Sequence, residues 1–254
     1  MAGATVGLLH PGEMGAALGR ALRERGHEVL WASIGRSEAT VRRAAEADLR
    51  DVEVVEAIAS RSEVIVSVCP PHAARDVARS VAGTGAIFVD CNAIAPATAR
   101  AISTELRSSF VDGGIIGPAP RRVGTTRLYL SGPNAGTVAE LFEGTTVDAR
   151  AISGTVGDAS ALKMTYAAWT KGTAALLLAI RAVADAEGVE RQLIGEWRIS
   201  LPELEEAWAR ATRSAEAKGW RWIGEMEEIA ATFAAAGLPD GFHRAAAEIF
   251  RRAG

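Results

Sequence analysis

Hydrophobic and polar positions alternate differently in the two halves of the chain. Up to about residue 150, short β-rich apolar runs alternate with stretches of helical spacing. Residues 4–9 form an apolar run that ends in a glycine-rich turn. Residues 14–24 follow with apolar positions at helical spacing, and Gly26 is placed to stop that helix. Further short strands are predicted at 27–31, at 64–68 before Pro70 and Pro71, at 86–89 and at 127–130. Strands alternating with helices predict βαβ units and a mostly parallel, doubly wound sheet. From about Gly157 the strand signal ends. Residues 158–187 form a near-continuous Ala/Leu-rich stretch without proline and with one interior glycine, Gly172. That is long for a globular helix and predicts one buried on several sides or shared with a partner subunit. Helices at about 202–218, 220–236 and 240–252 follow, separated by Gly219 and by the stop signal Gly237-Leu238-Pro239. The pattern predicts an α/β domain over 1–153 and an all-α domain over 154–254, joined by a long interdomain helix.

Composition narrows the classes. The 28 Lys and Arg against 31 Asp and Glu leave a net charge of −3, without the cationic excess that phosphate binding along a nucleic acid needs. Two cysteines, Cys69 and Cys91, cannot build a disulfide framework or a four-ligand zinc site. The four histidines are scattered and lack metal-ligand spacing, so no metal is expected. No 18-residue apolar run is present and no charged segment precedes the first apolar stretch. No membrane span or signal peptide is therefore expected, and the expected location is the cytoplasm.

The first predicted strand runs into His10-Pro11-Gly12-Glu13-Met14-Gly15 and then a helix. A dinucleotide-binding turn reads Gly-x-Gly-x-x-Gly at that place, its glycines allowing a tight turn and close approach of a pyrophosphate to the helix N-terminus. Gly12 and Gly15 have the required spacing, and His10 stands at the first glycine position. The alternative is a merely structural strand–helix turn. After the second strand no acid appears until Glu38; Ser33, Arg36 and Ser37 offer two hydroxyls and a guanidinium instead. Because an arginine fork matches phosphate geometry, this favours NADP(H) over NAD(H). Cys69 and Pro70, at the end of another strand, complete the expected cofactor contacts together with Asn92.

The Gly-x-Met-Gly turn at 12–15 resembles the start of the β-hydroxyacid dehydrogenase family, which includes 3-hydroxyisobutyrate and 6-phosphogluconate dehydrogenases. The resemblance continues in order. Asp90-Cys91-Asn92-Ala93-Ile94-Ala95-Pro96 looks like the family's Asp-x-Ser-Thr-x-x-Pro segment. Val111 to Pro118 aligns with its Ser-Gly-Gly substrate loop, and Gly154 to Lys163 with the segment carrying its catalytic lysine. Glu196-Trp197 and Gly237 to Phe242 look like the shorter helical C-terminal domain of a phosphogluconate-dehydrogenase-like branch. The resemblance implies an N-terminal Rossmann domain, a helical domain that builds a homodimer, and hydride transfer between nicotinamide and a small substrate. The chain departs from the family pattern at His10, at Ile116 (the loop serine), at Pro118 (the last loop glycine) and at Ala167 (an asparagine four residues after the lysine).

Lysine occurs three times, at 163, 171 and 218, in a chain otherwise rich in arginine. A desolvated lysine can exchange a proton near neutrality where arginine cannot, which suits Lys163 to general acid–base work; the bland alternative is a lysine reaching solvent. Tyr166, three residues on, shares its helix face. Asn92 is expected to position substrate or nicotinamide. Ile116, Gly117, Tyr166, Ala167 and His243 complete the expected substrate contacts, and the tryptophans are expected in the core. The apolar Ile115-Ile116 pair also fits imine reduction, though imine reductases usually replace the lysine. A non-catalytic NADP-binding protein is the reading from another class.

Overall fold

The structure, a computed structural model, describes residues 3–253. Its elements are β1 (Thr5–Leu9), α1 (Glu13–Glu24), β2 (Glu28–Trp31), α2 (Glu38–Glu46), β3 (Arg50–Asp51), α3 (Val55–Arg61) and β4 (Val64–Ser67). A short 3₁₀ turn, Pro71–Ala73, leads to α4 (Ala74–Arg79), β5 (Ile87–Asp90), α5 (Pro96–Leu106) and β6 (Phe110–Ile116). Then come β7 (Thr126–Ser131), α6 (Ala135–Glu140), β8 (Val147–Ser153), α7 (Asp158–Ala186), α8 (Glu190–Ser200), α9 (Glu203–Ala235) and α10 (Gly241–Ala253). The chain divides into two compact units, Met1–Lys163 and Met164–Gly254. The division falls inside α7, ten residues beyond the boundary predicted at 153.

The first unit is built on an eight-stranded sheet in the order β3-β2-β1-β4-β5-β6-β7-β8. Its first six strands are parallel, in the 3-2-1-4-5-6 order of a dinucleotide-binding fold; β7 runs antiparallel to β6, and β8 parallel to β7. Both faces are covered, as a parallel sheet requires. Val6, Leu8, Val29, Trp31, Val64, Val66 and Val89 point into one core. Leu9, Leu30, Ile65 and Phe88, at the alternate positions, point into the other. The register aligns Leu9 with Ser67, Ser67 with Asp90, and Asp90 with Asp112. This row marks where the parallel strands reach their carboxyl edge.

The second unit holds the rest of α7 with α8, α9 and α10. Trp222 meets Phe250 edge-on at 5.1 Å across α9 and α10. Lys171 of α7 pairs with Glu225 of α9 at 2.5 Å, both nearly buried. Arg181 stacks over Trp208 at 3.7 Å and pairs with Glu190. By length and apolar composition α7 reaches the range of a membrane span; length and composition alone do not make it one, and its Lys171 and Arg181 are both held by carboxylates of neighbouring helices.

Three further expectations are corrected. Gly219 does not separate two helices: α9 runs through it, buried beneath α10. One glycine costs a helix only about 1 kcal/mol, less than its flanking turns gain from packing. Three strands not foreseen, β3, β6 and β8, complete the sheet. Finally, Trp197 and Trp31 are core residues, but Trp169 and Trp220 are exposed.

Candidate active site

The turn after β1 is shaped by His10. Its φ of 65° places it in the left-handed region, where glycine stands in the usual fingerprint. The turn is closed by Gly12 N–H donating to the His10 carbonyl at 2.7 Å. Gly15 is required for close approach: a Cβ there would lie 2.7 Å from the His10 carbonyl oxygen. A Cβ on Gly12, by contrast, would point into open space, and no side chain caps the N-terminus of α1 that Gly12 begins. This leaves the first backbone N–H groups of α1 clear for an anion. Pro11 is buried, Met14 half-buried and Glu13 exposed.

Arg36, in the loop after β2, is half-buried, and its charge reaches both His10 and Cys69. Burial, reinforced by Arg36, lowers His10 to about 4, so the imidazole is neutral at neutral pH. Ser33 is half-buried and its carbonyl accepts from Arg36 N–H. Ser37 caps α2, its hydroxyl accepting from Thr40 N–H at 3.3 Å. Burial and Asp90 push the Cys69 thiol up to about 12, which makes it an inert group.

Asn92 ties two strand ends together. Its Oδ1 accepts from Cys69 N–H at 2.5 Å, its Nδ2 donates to Ser67 Oγ at 3.2 Å, and its N–H donates to Asp90 Oδ1 at 2.9 Å. The amide thus fixes the Cys69-Pro70 bend where β4 leaves the sheet. His10, Cys69 and Asn92 all lie just past the aligned row, at the carboxyl edge where open α/β sheets bind ligands.

The helix turn that leads to Lys163 is held beside β6 by an arrangement not read from the sequence. Asp112, fully buried in β6, accepts from Gly157 N–H (3.1 Å), Ser160 N–H (2.8 Å) and Ser131 Oγ (3.1 Å) on Oδ2, and from Ser160 Oγ (2.5 Å) on Oδ1. Ser131 Oγ in turn accepts from Ala159 N–H at 3.0 Å. Burial pushes the Asp112 carboxyl up, and these hydrogen bonds pull against it. The network satisfies the orphan donors of the first turn of α7 and pins that turn to β6. Gly114 makes the contact possible, because a Cβ there would lie 2.6 Å from the Ala159 carbonyl oxygen and 3.0 Å from Lys163 Cβ. The available signal was an aspartate inside an otherwise apolar segment, Phe110 to Ile116; a charge buried there needs several partners.

Other predicted site residues are placed differently. Ile116 is buried at the end of β6, and Gly117, beyond it, is exposed. Tyr166, Ala167 and His243 belong to the second unit. Tyr166 is about half exposed and Ala167 is buried. His243 is buried against two rings, 4.2 Å from Phe233 and 5.2 Å from Phe242 between ring centroids.

Comparison with known proteins finds the same fold. Residues 5–94 match a family described as NADP oxidoreductase coenzyme F420-dependent, and residues 184–253 match a domain of unknown function, DUF1932. An uncharacterized 28.5 kDa protein of Methanothermus fervidus is 30% identical over 191 residues, covering 74% of each chain. A solved protein of unknown function, described as structurally similar to 3-hydroxyacid dehydrogenases, is 28% identical with a TM-score of 0.69 over 98% of this chain and 96% of its own. The fold is also that of Mycobacterium tuberculosis 3-hydroxyisobutyrate dehydrogenase, at 15% identity and a TM-score of 0.72 over 98% and 93% of the two chains. A Streptomyces aurantiacus imine reductase shares it at 20% identity and a TM-score of 0.54 over the same shares.

Proposed function

Because the chain belongs to the β-hydroxyacid dehydrogenase-like family, pairing an NADP oxidoreductase domain with a DUF1932 domain, we propose that it is an NADP(H)-dependent oxidoreductase of a small hydroxy or carbonyl substrate. The observation that supports the reading is the position of His10, Cys69 and Asn92 at the carboxyl edge of one sheet, with the Lys163 Cβ beside Gly114 of β6. Residues that fit the cofactor are present: the open, uncapped N-terminus of α1 for a pyrophosphate, and Arg36 with Ser33 for a ribose phosphate. A bound nicotinamide supplies or takes up the hydride. Lys163 handles the proton: its neutral amine accepts the alcohol proton during oxidation, and its ammonium returns a proton to the oxygen during reduction. Asn92 holds the β4 end in place beside the nicotinamide half of the site, and Asp112 holds the first turn of α7, and with it Lys163, against β6. We also propose a cytoplasmic homodimer joined through the helices of the second unit.

The test has two readouts. NADPH binding is followed by energy transfer from tryptophan, and turnover is screened over hydroxy acids, ketones, aldehydes and cyclic imines. Lys163→Ala is expected to keep NADPH binding and to lose about 10²–10⁴-fold in turnover. Wild-type rates in Lys163→Ala would remove the lysine from the mechanism. Turnover confined to imines would move the reaction from CH–OH to CH–NH, the reading the buried Ile115-Ile116 pair favours. Failure to bind either NADPH or NADH would end the oxidoreductase reading.

A further inference from the structure

Two buried polar atoms, one in the turn after β1 and one in the loop after β2, have no hydrogen-bond partner among the described residues: His10 Nδ1 and Arg36 Nε. Such orphans are rare inside folded chains and call for an explanation. They arise from adjacent strands, since His10 follows β1 and Arg36 follows β2, and Arg36 is close enough for its charge to act on His10. His10 also carries backbone strain. At φ 65° a glycine would sit without cost, whereas a histidine does not. A strained residue whose Nδ1 gains no hydrogen bond from the chain is explained if a ligand supplies that bond.

We propose that His10 Nδ1 and Arg36 Nε form a paired donor site for a phosphate monoester, the 2′-phosphate of the cofactor's adenine ribose. His10 is then a determinant of NADP(H) over NAD(H), not a tolerated substitute for glycine. The inference rests on the oxidoreductase reading and deepens it. Guanidinium and imidazole N–H groups both donate, and a phosphate oxygen accepts from both. A ribose hydroxyl site would instead place a carboxylate at the end of β2, and no acid occurs between Trp31 and Glu38. The neutral state of the ring is part of the fit. With its proton on Nδ1 the imidazole donates without adding a second buried cation beside Arg36. The Cys69 thiol, the other group that senses Arg36, stays protonated and puts no competing anion there. Glu13, the acid in the first turn of α1, is exposed.

The decisive variant is His10→Gly, which restores the fingerprint residue and relieves the backbone. Binding of 2′,5′-ADP and 5′-AMP is measured by calorimetry for the wild type, His10→Gly and His10→Asn. The wild type is expected to prefer 2′,5′-ADP. His10→Gly is expected to lose about ten- to a hundredfold in 2′,5′-ADP affinity, the worth of a hydrogen bond to a charged acceptor, with 5′-AMP unchanged. His10→Asn tolerates the same backbone and offers an amide donor, so it recovers part of the loss. Undiminished 2′,5′-ADP binding by His10→Gly overturns the inference, as does an equal loss of both fragments. A wild type that folds but binds neither fragment removes the cofactor reading itself, a result distinct from either.

Discussion

His27 and His243 are titratable rings sealed inside the two units, and both have Nδ1 buried without a hydrogen-bond partner among the described residues. His27 Nε2 lies 3.1 Å from the Leu141 carbonyl, joining the start of β2 to the end of α6. Burial lowers the pKa of both rings below 6.5. Each is neutral when folded, so unfolding takes up protons once the pH falls below 6.5. Their contribution to stability is complete above that pH and is lost as pH falls toward the folded pKa, by at most about 1.4 kcal/mol per pH unit for each ring. Urea midpoints are therefore expected to drop between pH 7 and 5.5, with a shallower drop in His27→Gln; an unchanged slope in that variant would clear His27. At this scale the sequence was partly legible. The glycine spacing at 12–15 located the turn, and the scarcity of lysine together with the resemblance over residues 154–163 marked Lys163 for the role proposed above. Asp112 was not legible because its donors lie 19 residues away on β7 and 45 to 48 residues away on a segment whose approach depends on Gly114.

Among elements, α9 shows how weak one punctuation mark is. Gly219 reads as a helix break, yet the helix spans 33 residues through it. A Cβ added there would lie 3.9 Å from the Phe250 carbonyl oxygen and 4.0 Å from Ala215 Cβ, ordinary contact distances. Gly219→Ala is thus expected to stabilise the second unit by about 0.5–1 kcal/mol, raising its thermal midpoint as followed by tryptophan fluorescence. A lowered midpoint would mean that α10 packs more tightly on that position than the distances allow. Strands β1, β2, β4 and β5 were legible as apolar runs bounded by turn residues. By contrast, β6 was not, because Asp-Gly-Gly interrupts its apolar run. The last strand, β8, lies at a sheet edge and its Val-Asp-Ala-Arg-Ala-Ile-Ser run is half exposed, so no alternation marks it.

On the scale of the whole molecule, the long helix carries an exposed stripe. Leu162, Tyr166, Trp169, Leu176, Ile180 and Val183 are exposed large apolar residues, and with Thr173 they are spaced alternately by four and three. That is the repeat of a helix seam awaiting another helix, and Trp169 is 73% and Val183 62% exposed. An apolar pocket lined by Ile180, Val183, Val189 and Leu193 continues it toward α8. Sedimentation velocity is expected to find a dimer for the wild type and a monomer for the Trp169→Glu/Val183→Asp double variant; a monomeric wild type would refute the proposed assembly. The long apolar stretch was legible in the sequence, but the side on which it lies bare was not. Exposure depends on where α8 and α9 settle.

The Asp112 knot also has a consequence in the time order of synthesis. When β6 has left the ribosome, its aspartate has none of the backbone donors that will hold it, since Gly157 and Ser160 have not yet been made. The nucleotide-binding half is therefore unfinished at residue 153, where its last strand ends. It closes only with the opening turn of the helix that begins the next unit. A gene cut between the two halves at the end of β8 would leave a buried carboxylate facing missing partners; a cut after Lys163 would not.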